Sequence, residues 1–317
     1  MRHRFWSRAA APEQSATRVR LSHAIAIALL LCAAAAIVQA TQPAKPGVTL
    51  EQVALTTSDG VRLSAIVYRP AAVPRPVGLM LVHGFGANFY ESYFPYLGRT
   101  AAQHGMVVLA LNMRDHDTGP KIWDFADNQA DIAAGVEHLH SLGAKKIVLL
   151  GQSMGTNRVL YYQAASSDPT VAATVLVSGP GNLFQWNVWQ FGQKTAQETV
   201  SDALRMQAEG HDRDLMLVDL GPLGKALYTP RYLLSLRGPS AKSDPYQNIQ
   251  KVKNPVLILQ GKADKLIEPE IAERLHKAAV NNPNVTVQYV DGANHGFASQ
   301  QPLLADRVLD WIKSVLP

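Results

Sequence analysis

Apolar and polar positions alternate along this chain with two periods in turn. "VTLEQVALTT" and "VRLSAIVYRP" flank Ser58-Asp59-Gly60 and predict an antiparallel hairpin closed by a tight turn. "VGLMLVHG", "MVVLALNM", "KKIVLLGQS", "VAATVLVSG" and "PVLILQG" are nearly continuous apolar runs, the pattern of strands buried on both faces. Between them lie stretches with helical spacing, over 91–104, 123–143 (Ile132, Val136, Leu139, Leu142), 155–166, 268–280 and 301–315. "VTVQYVDG" supplies a last strand before the final helix. Such alternation predicts parallel strands joined by crossover helices, an open α/β sheet covered on both faces.

Residues 183–250 break the rhythm. They hold no clear buried strand but carry Phe184, Trp186, Trp189 and Phe191, followed by the helix-prone "QKTAQETVSDALRMQAEG". They read as an insertion over the carboxyl edge of the sheet, where open α/β sheets place their ligands. The core is then expected over 49–182 and 251–317, with 183–250 as a lid. Trp186 and Trp189 either shape an apolar substrate pocket or pack the lid on the body, and the sequence leaves both open.

The amino terminus reads differently. Basic residues precede "HAIAIALLLCAAAAIVQA", which ends in Val38-Gln39-Ala40. This predicts a secretory signal peptide over 1–40, cleaved after Ala40, and a proline-punctuated linker over 41–48. The rival is an uncleaved membrane anchor, although the apolar run is short for a span. Cys32 is the only cysteine and lies inside the leader, so the mature chain suits an oxidising, periplasmic or secreted location. It also excludes cysteine catalysis and thiolate metal sites.

Charge adds one exclusion. The chain holds 30 Lys and Arg against 25 Asp and Glu. Five of those basic residues and one acid fall within 1–40, so the body carries 25 against 24. A nearly neutral body gives no electrostatic footprint for nucleic acid. No metal-ligand spacing appears, and His138 and His140, two apart on a helix, face different ways.

Chemistry concentrates at Gly151-Gln152-Ser153-Met154-Gly155, a G-x-S-x-G turn between the strand "KKIVLL" and a helix. Such a turn projects a serine hydroxyl clear of the sheet beside the free N–H groups of the helix start. Serine is a weak nucleophile and needs a base held by an acid. Asp264 follows the strand "PVLILQG" and His295 follows "VTVQYVDG", so all three stand at carboxyl ends of strands in the chain order Ser, Asp, His. The backbone N–H groups of Met154 and Phe85, with Gly84 as second choice to Phe85, are the expected oxyanion donors. His83 is expected to brace that loop. Arg114, in "MRDHD", is assigned either to a polar substrate end or to a structural ion pair.

With "HGFG", "GQSMG", "GKAD" and "NHGF" in place, the sequence over about residues 50–316 resembles the α/β-hydrolase superfamily of esterases, lipases and serine aminopeptidases. The resemblance implies an α/β-hydrolase fold: a mostly parallel eight-stranded sheet with an antiparallel second strand, helices on both faces, a helical lid insertion, and no cofactor. It implies a serine hydrolase acting through an acyl-enzyme, with a small carboxylic ester as the expected substrate. An amidase or aminopeptidase would require an acid such as Glu198 or Asp202 for a substrate amine. A carbon–carbon bond hydrolase would require a cation such as Arg114 for a carboxylate. A non-catalytic binding protein would be expected to have lost one of the three residues.

Overall fold

The computed structural model describes residues 47–316 apart from Val73. The expected leader and all but the end of the expected linker lie outside the described residues. The strand β1 (Val48–Thr56) pairs antiparallel with β2 (Arg62–Pro70) across the expected turn. The strands β3 (Val77–Val82), β4 (Val107–Leu111), β5 (Lys146–Gln152), β6 (Val171–Val177), β9 (Val256–Gly261) and β10 (Val285–Val290) run parallel to one another. The eight form one sheet in the order β1-β2-β4-β3-β5-β6-β9-β10, with β2 antiparallel to both its neighbours.

Every residue of β3, β4 and β9 is buried, which is why these segments read as unbroken apolar runs. Their side chains alternate between two cores. Val107, Leu109 and Leu111 face one side with α2 (Asn128–Ser141), α3 (Met154–Ser166) and α8 (Ile271–Ala278). Val108 and Ala110 face the other, with α1 (Phe94–Gln103) and α9 (Gln301–Val315). This is the α/β-hydrolase architecture, with helices on both faces.

Between β6 and β9 the chain departs from the strand–helix rhythm. The insert holds α4 (Leu183–Phe191), α5 (Gln193–Ala208), α6 (Pro230–Arg237) and α7 (Pro245–Ile249). It also contains a two-stranded antiparallel hairpin of β7 (Met216–Asp219) and β8 (Lys225–Tyr228), which the apolar pattern did not reveal. These strands are four residues long and leave Leu217 and Leu227 exposed, so they carry no buried run. A third core joins insert to body: Leu183, Tyr228, Tyr232 and Leu233 pack with Phe125 and with Met154 at the start of α3.

Candidate active site

Ser153 follows β5, Asp264 follows β9 and His295 follows β10, so parallel topology places all three loops on one sheet edge. Ser153 has φ 52° and ψ −125°, a left-handed conformation that a non-glycine residue adopts only where its surroundings enforce it. Close packing enforces it here. A Cβ at Gly151 would sit 2.4 Å from the Gly155 carbonyl oxygen, and one at Gly155 would sit 2.2 Å from that of Val82. Side chains at both positions would push strand and helix apart, so the glycines let α3 start directly against β3 and β5.

Asp264 and His295 meet across 31 residues: Nδ1 of His295 lies 2.8 Å from Oδ2 of Asp264. The other carboxylate oxygen accepts the Leu266 backbone N–H at 2.9 Å. The Asp264 side chain is 1 % exposed and that of His295 18 %. The imidazole therefore has one edge fixed by a shielded carboxylate, and the residue lines the same cavity of about 210 Å³ as Ser153. Phe85, Gly84 and Met154 line it too. A Cβ on Gly84 would fall 2.8 Å from that of Ser153, so the loop after β3 passes directly beside the serine. The Met154 N–H is the first of its helix and has no intrahelical acceptor.

His83 holds that loop in shape. Its Nδ1–H donates to the Gly84 carbonyl at 2.7 Å, and its Nε2 accepts the Met113 N–H at 3.0 Å. Those two bonds specify the neutral ring. Burial, with the nearby charge of Arg158, holds its pKa down at about 3.

Two expected substrate contacts lie elsewhere. The Arg114 guanidinium donates to Asp59 at 2.7 and 3.0 Å and to Asp131 at 2.8 Å, and it stacks over Trp123. It ties the β1–β2 turn to α2 and does not line the cavity, so of its two expected roles the structural ion pair is the one found and the substrate contact is corrected. Trp189 is 42 % exposed and also lies off the cavity. Trp186, three residues earlier on α4, is the one turned inward: it lines the cavity and its Nε1–H donates to the Leu266 carbonyl at 2.7 Å. Glu198 and Asp202 sit on the outer face of α5 in exposed pairs with Lys194 and Arg205. Among residues the sequence reading passed over, Arg237, Leu220 and Leu223 of the insert line the cavity. No local pattern marks them, since the chain brings them there only through the insert's tertiary packing.

A family model described as Alpha/beta hydrolase family matches residues 79–306. Among curated proteins no significant match was found. Among solved structures, the chain is similar to the Pyrococcus furiosus esterase Pf2001, with 22 % identity over 84 % of this chain and 93 % of that one and a TM-score of 0.58. It is similar to the esterase domain of a Rhodothermus marinus protein, at 18 % identity, 84 % and 98 % coverage and a TM-score of 0.59. It is also similar to Est1E from Butyrivibrio proteoclasticus, at 17 % identity, 84 % and 98 % coverage and a TM-score of 0.65. Identities this low describe a shared fold.

Proposed function

The chain belongs to the alpha/beta hydrolase family, and from that premise we propose that it is a serine hydrolase of carboxylic esters. Ser153 Oγ attacks the acyl carbon and its proton passes to Nε2 of His295. Asp264, accepting from Nδ1–H, holds the ring in the tautomer that can take that proton and stabilises the imidazolium formed. The N–H groups of Phe85 and Met154 receive the oxyanion. Collapse of the tetrahedral adduct breaks the ester C–O bond, and the alcohol leaves with the proton from His295. Water, deprotonated by the same imidazole, then cleaves the acyl-enzyme and releases the acid.

The observation that carries this reading is the 2.8 Å His295–Asp264 hydrogen bond on the cavity that also contains the strained Ser153. The structural neighbours that are esterases favour esters over other acyl substrates. The reading of the insert as a lid is supported by its Leu183, Trp186, Leu220 and Leu223, which line the cavity. The test is labelling of the full chain with a fluorophosphonate. The expected adduct is on the peptide containing Ser153 and is absent in Ser153→Ala; an unlabelled Ser153 contradicts the proposal.

We also propose export. It is supported by the basic stretch and apolar run that end at Ala40 and by the confinement of cysteine to that leader. Amino-terminal sequencing of the exported protein should begin at Thr41.

A further inference from the structure

Arg237 ends α6 and lines the cavity that contains Ser153 and His295. It is 7 % exposed. A guanidinium stays charged at every ordinary pH and has donors to place on two edges. Here Nε donates to Asn187 Oδ1 at 3.2 Å, and the group lies over the Tyr228 ring, 5.8 Å from its centroid. Burial raises the Tyr228 pKa and the adjacent Arg237 works against that rise; apart from each other, Nη1 of Arg237 and the Tyr228 hydroxyl have no hydrogen-bond partner. Arg114, Arg158, Arg231 and Arg274 each face a carboxylate. Arg237 forms no ion pair among the described residues. A buried cation without a counter-ion is costly to a fold, and Asn187 and the Tyr228 ring, both uncharged, offset that cost only in part.

The rest of the lining sharpens the point. His83 is neutral, and the His295 ring is paired with Asp264. Among the described residues, Glu91 is the one acid that lines the cavity; it is exposed to solvent and accepts from Asn88 Nδ2. Leu183, Trp186, Leu220, Leu223 and Ile267 supply apolar wall. Among the described residues, the only permanent cation on that wall is Arg237. A single guanidinium without a paired carboxylate matches a planar monoanion, and among the described residues the lining has no second cation of the kind a dianionic phosphate would call for.

We propose that Arg237 binds a carboxylate carried by the substrate, so that the cavity selects esters bearing a free carboxylate at the far end of an apolar segment. This rests on the serine-hydrolase reading and names the substrate class for that site. It also reassigns to Arg237 the carboxylate-binding role that the sequence had suggested for Arg114.

The test compares p-nitrophenyl half-esters of glutarate, adipate and suberate with the pentanoate, hexanoate and octanoate esters, using the full chain. The expected result is a kcat/KM at least about tenfold higher for the charged member of at least one pair. That ratio falls at least about tenfold in Arg237→Met, is partly kept in Arg237→Lys, and is unchanged in Arg231→Gln, an arginine of the same helix that pairs with Asp124. Preference for the uncharged ester at every length, or equal losses on both ester classes in Arg237→Met, overturns the proposal. If the wild type cleaves neither class, the ester reading fails, and calorimetry of methyl hydrogen suberate with Ser153→Ala decides on Arg237. Binding that disappears on adding Arg237→Met supports the carboxylate site, and absence of binding overturns it.

Discussion

Arg158 Nη2 lies 2.8 Å from both carboxylate oxygens of Asp115, and the two side chains are 0 % and 2 % exposed. Arg158 stands on α3, one turn beyond Ser153, and Asp115 lies in the loop after β4. The Tyr232 hydroxyl, from α6 of the insert, donates to the same carboxylate at 2.8 Å. Nucleophile helix, sheet edge and insert thus converge on one buried ion pair. Burial alone would raise the Asp115 pKa, but Arg158 and, more weakly, Lys121 and Tyr232 hold it below the usual carboxylate range.

Breaking that pair leaves an uncompensated buried charge. Arg158→Met should therefore cost about 3–5 kcal/mol of unfolding free energy. Arg158→Met with Asp115→Leu should recover much of the loss, because neither charge then remains. Urea midpoints of the two variants give the comparison. A double variant no more stable than Arg158→Met would show that the cost lies in packing and not in the orphaned carboxylate.

Gly155 is expected to reject a methyl group. Its added Cβ would meet a backbone oxygen at 2.2 Å, an obstacle that no rotamer change removes. Gly155→Ala should lose about 3 kcal/mol or more, the upper end of overpacking costs. Gly143→Ala is the contrast: φ is +92° but nothing lies within 4 Å, so only backbone strain of about 1 kcal/mol is expected. Thermal or urea unfolding of the pair separates steric from conformational cost.

The contrast between these residues also shows what a sequence can carry. The G-x-S-x-G turn was legible because its constraint is local: a strand, a turn and a helix start within five positions. The buried strands were legible for the same reason, as β3 and β9 have no polar face to interrupt the run. Arg114 was not, because its partners Asp59 and Asp131 lie 55 and 17 residues away and nothing near it names them. Trp186 and Trp189 sit on one short helix, and only the packing of α4 decides which faces inward. Arg237 was invisible, since lacking a partner is a property of tertiary structure alone.

Acid should weaken the fold through His83. In the folded chain this ring stays neutral down to about 3, whereas the ordinary histidine value is 6.5. Between those values the unfolded chain binds the extra proton and the native chain does not. Stability from this group is therefore complete above 6.5 and declines as pH falls toward 3. The slope is at most about 1.4 kcal/mol per pH unit. Urea unfolding between about pH 4 and 7 should show it, and His83→Gln should flatten the profile. An unchanged profile in that variant would assign the acid sensitivity to other groups.

The central claim is that Ser153, activated by His295 and Asp264, cleaves esters through a covalent acyl-enzyme. Its most direct test is hydrolysis of p-nitrophenyl esters from acetate to palmitate by the wild type and by Ser153→Ala. The wild type is expected to turn over these esters, with a burst of p-nitrophenol equal to the enzyme concentration where deacylation is slow, and the variant to lose at least about a thousandfold. Turnover that survives in Ser153→Ala at the wild-type rate would contradict it.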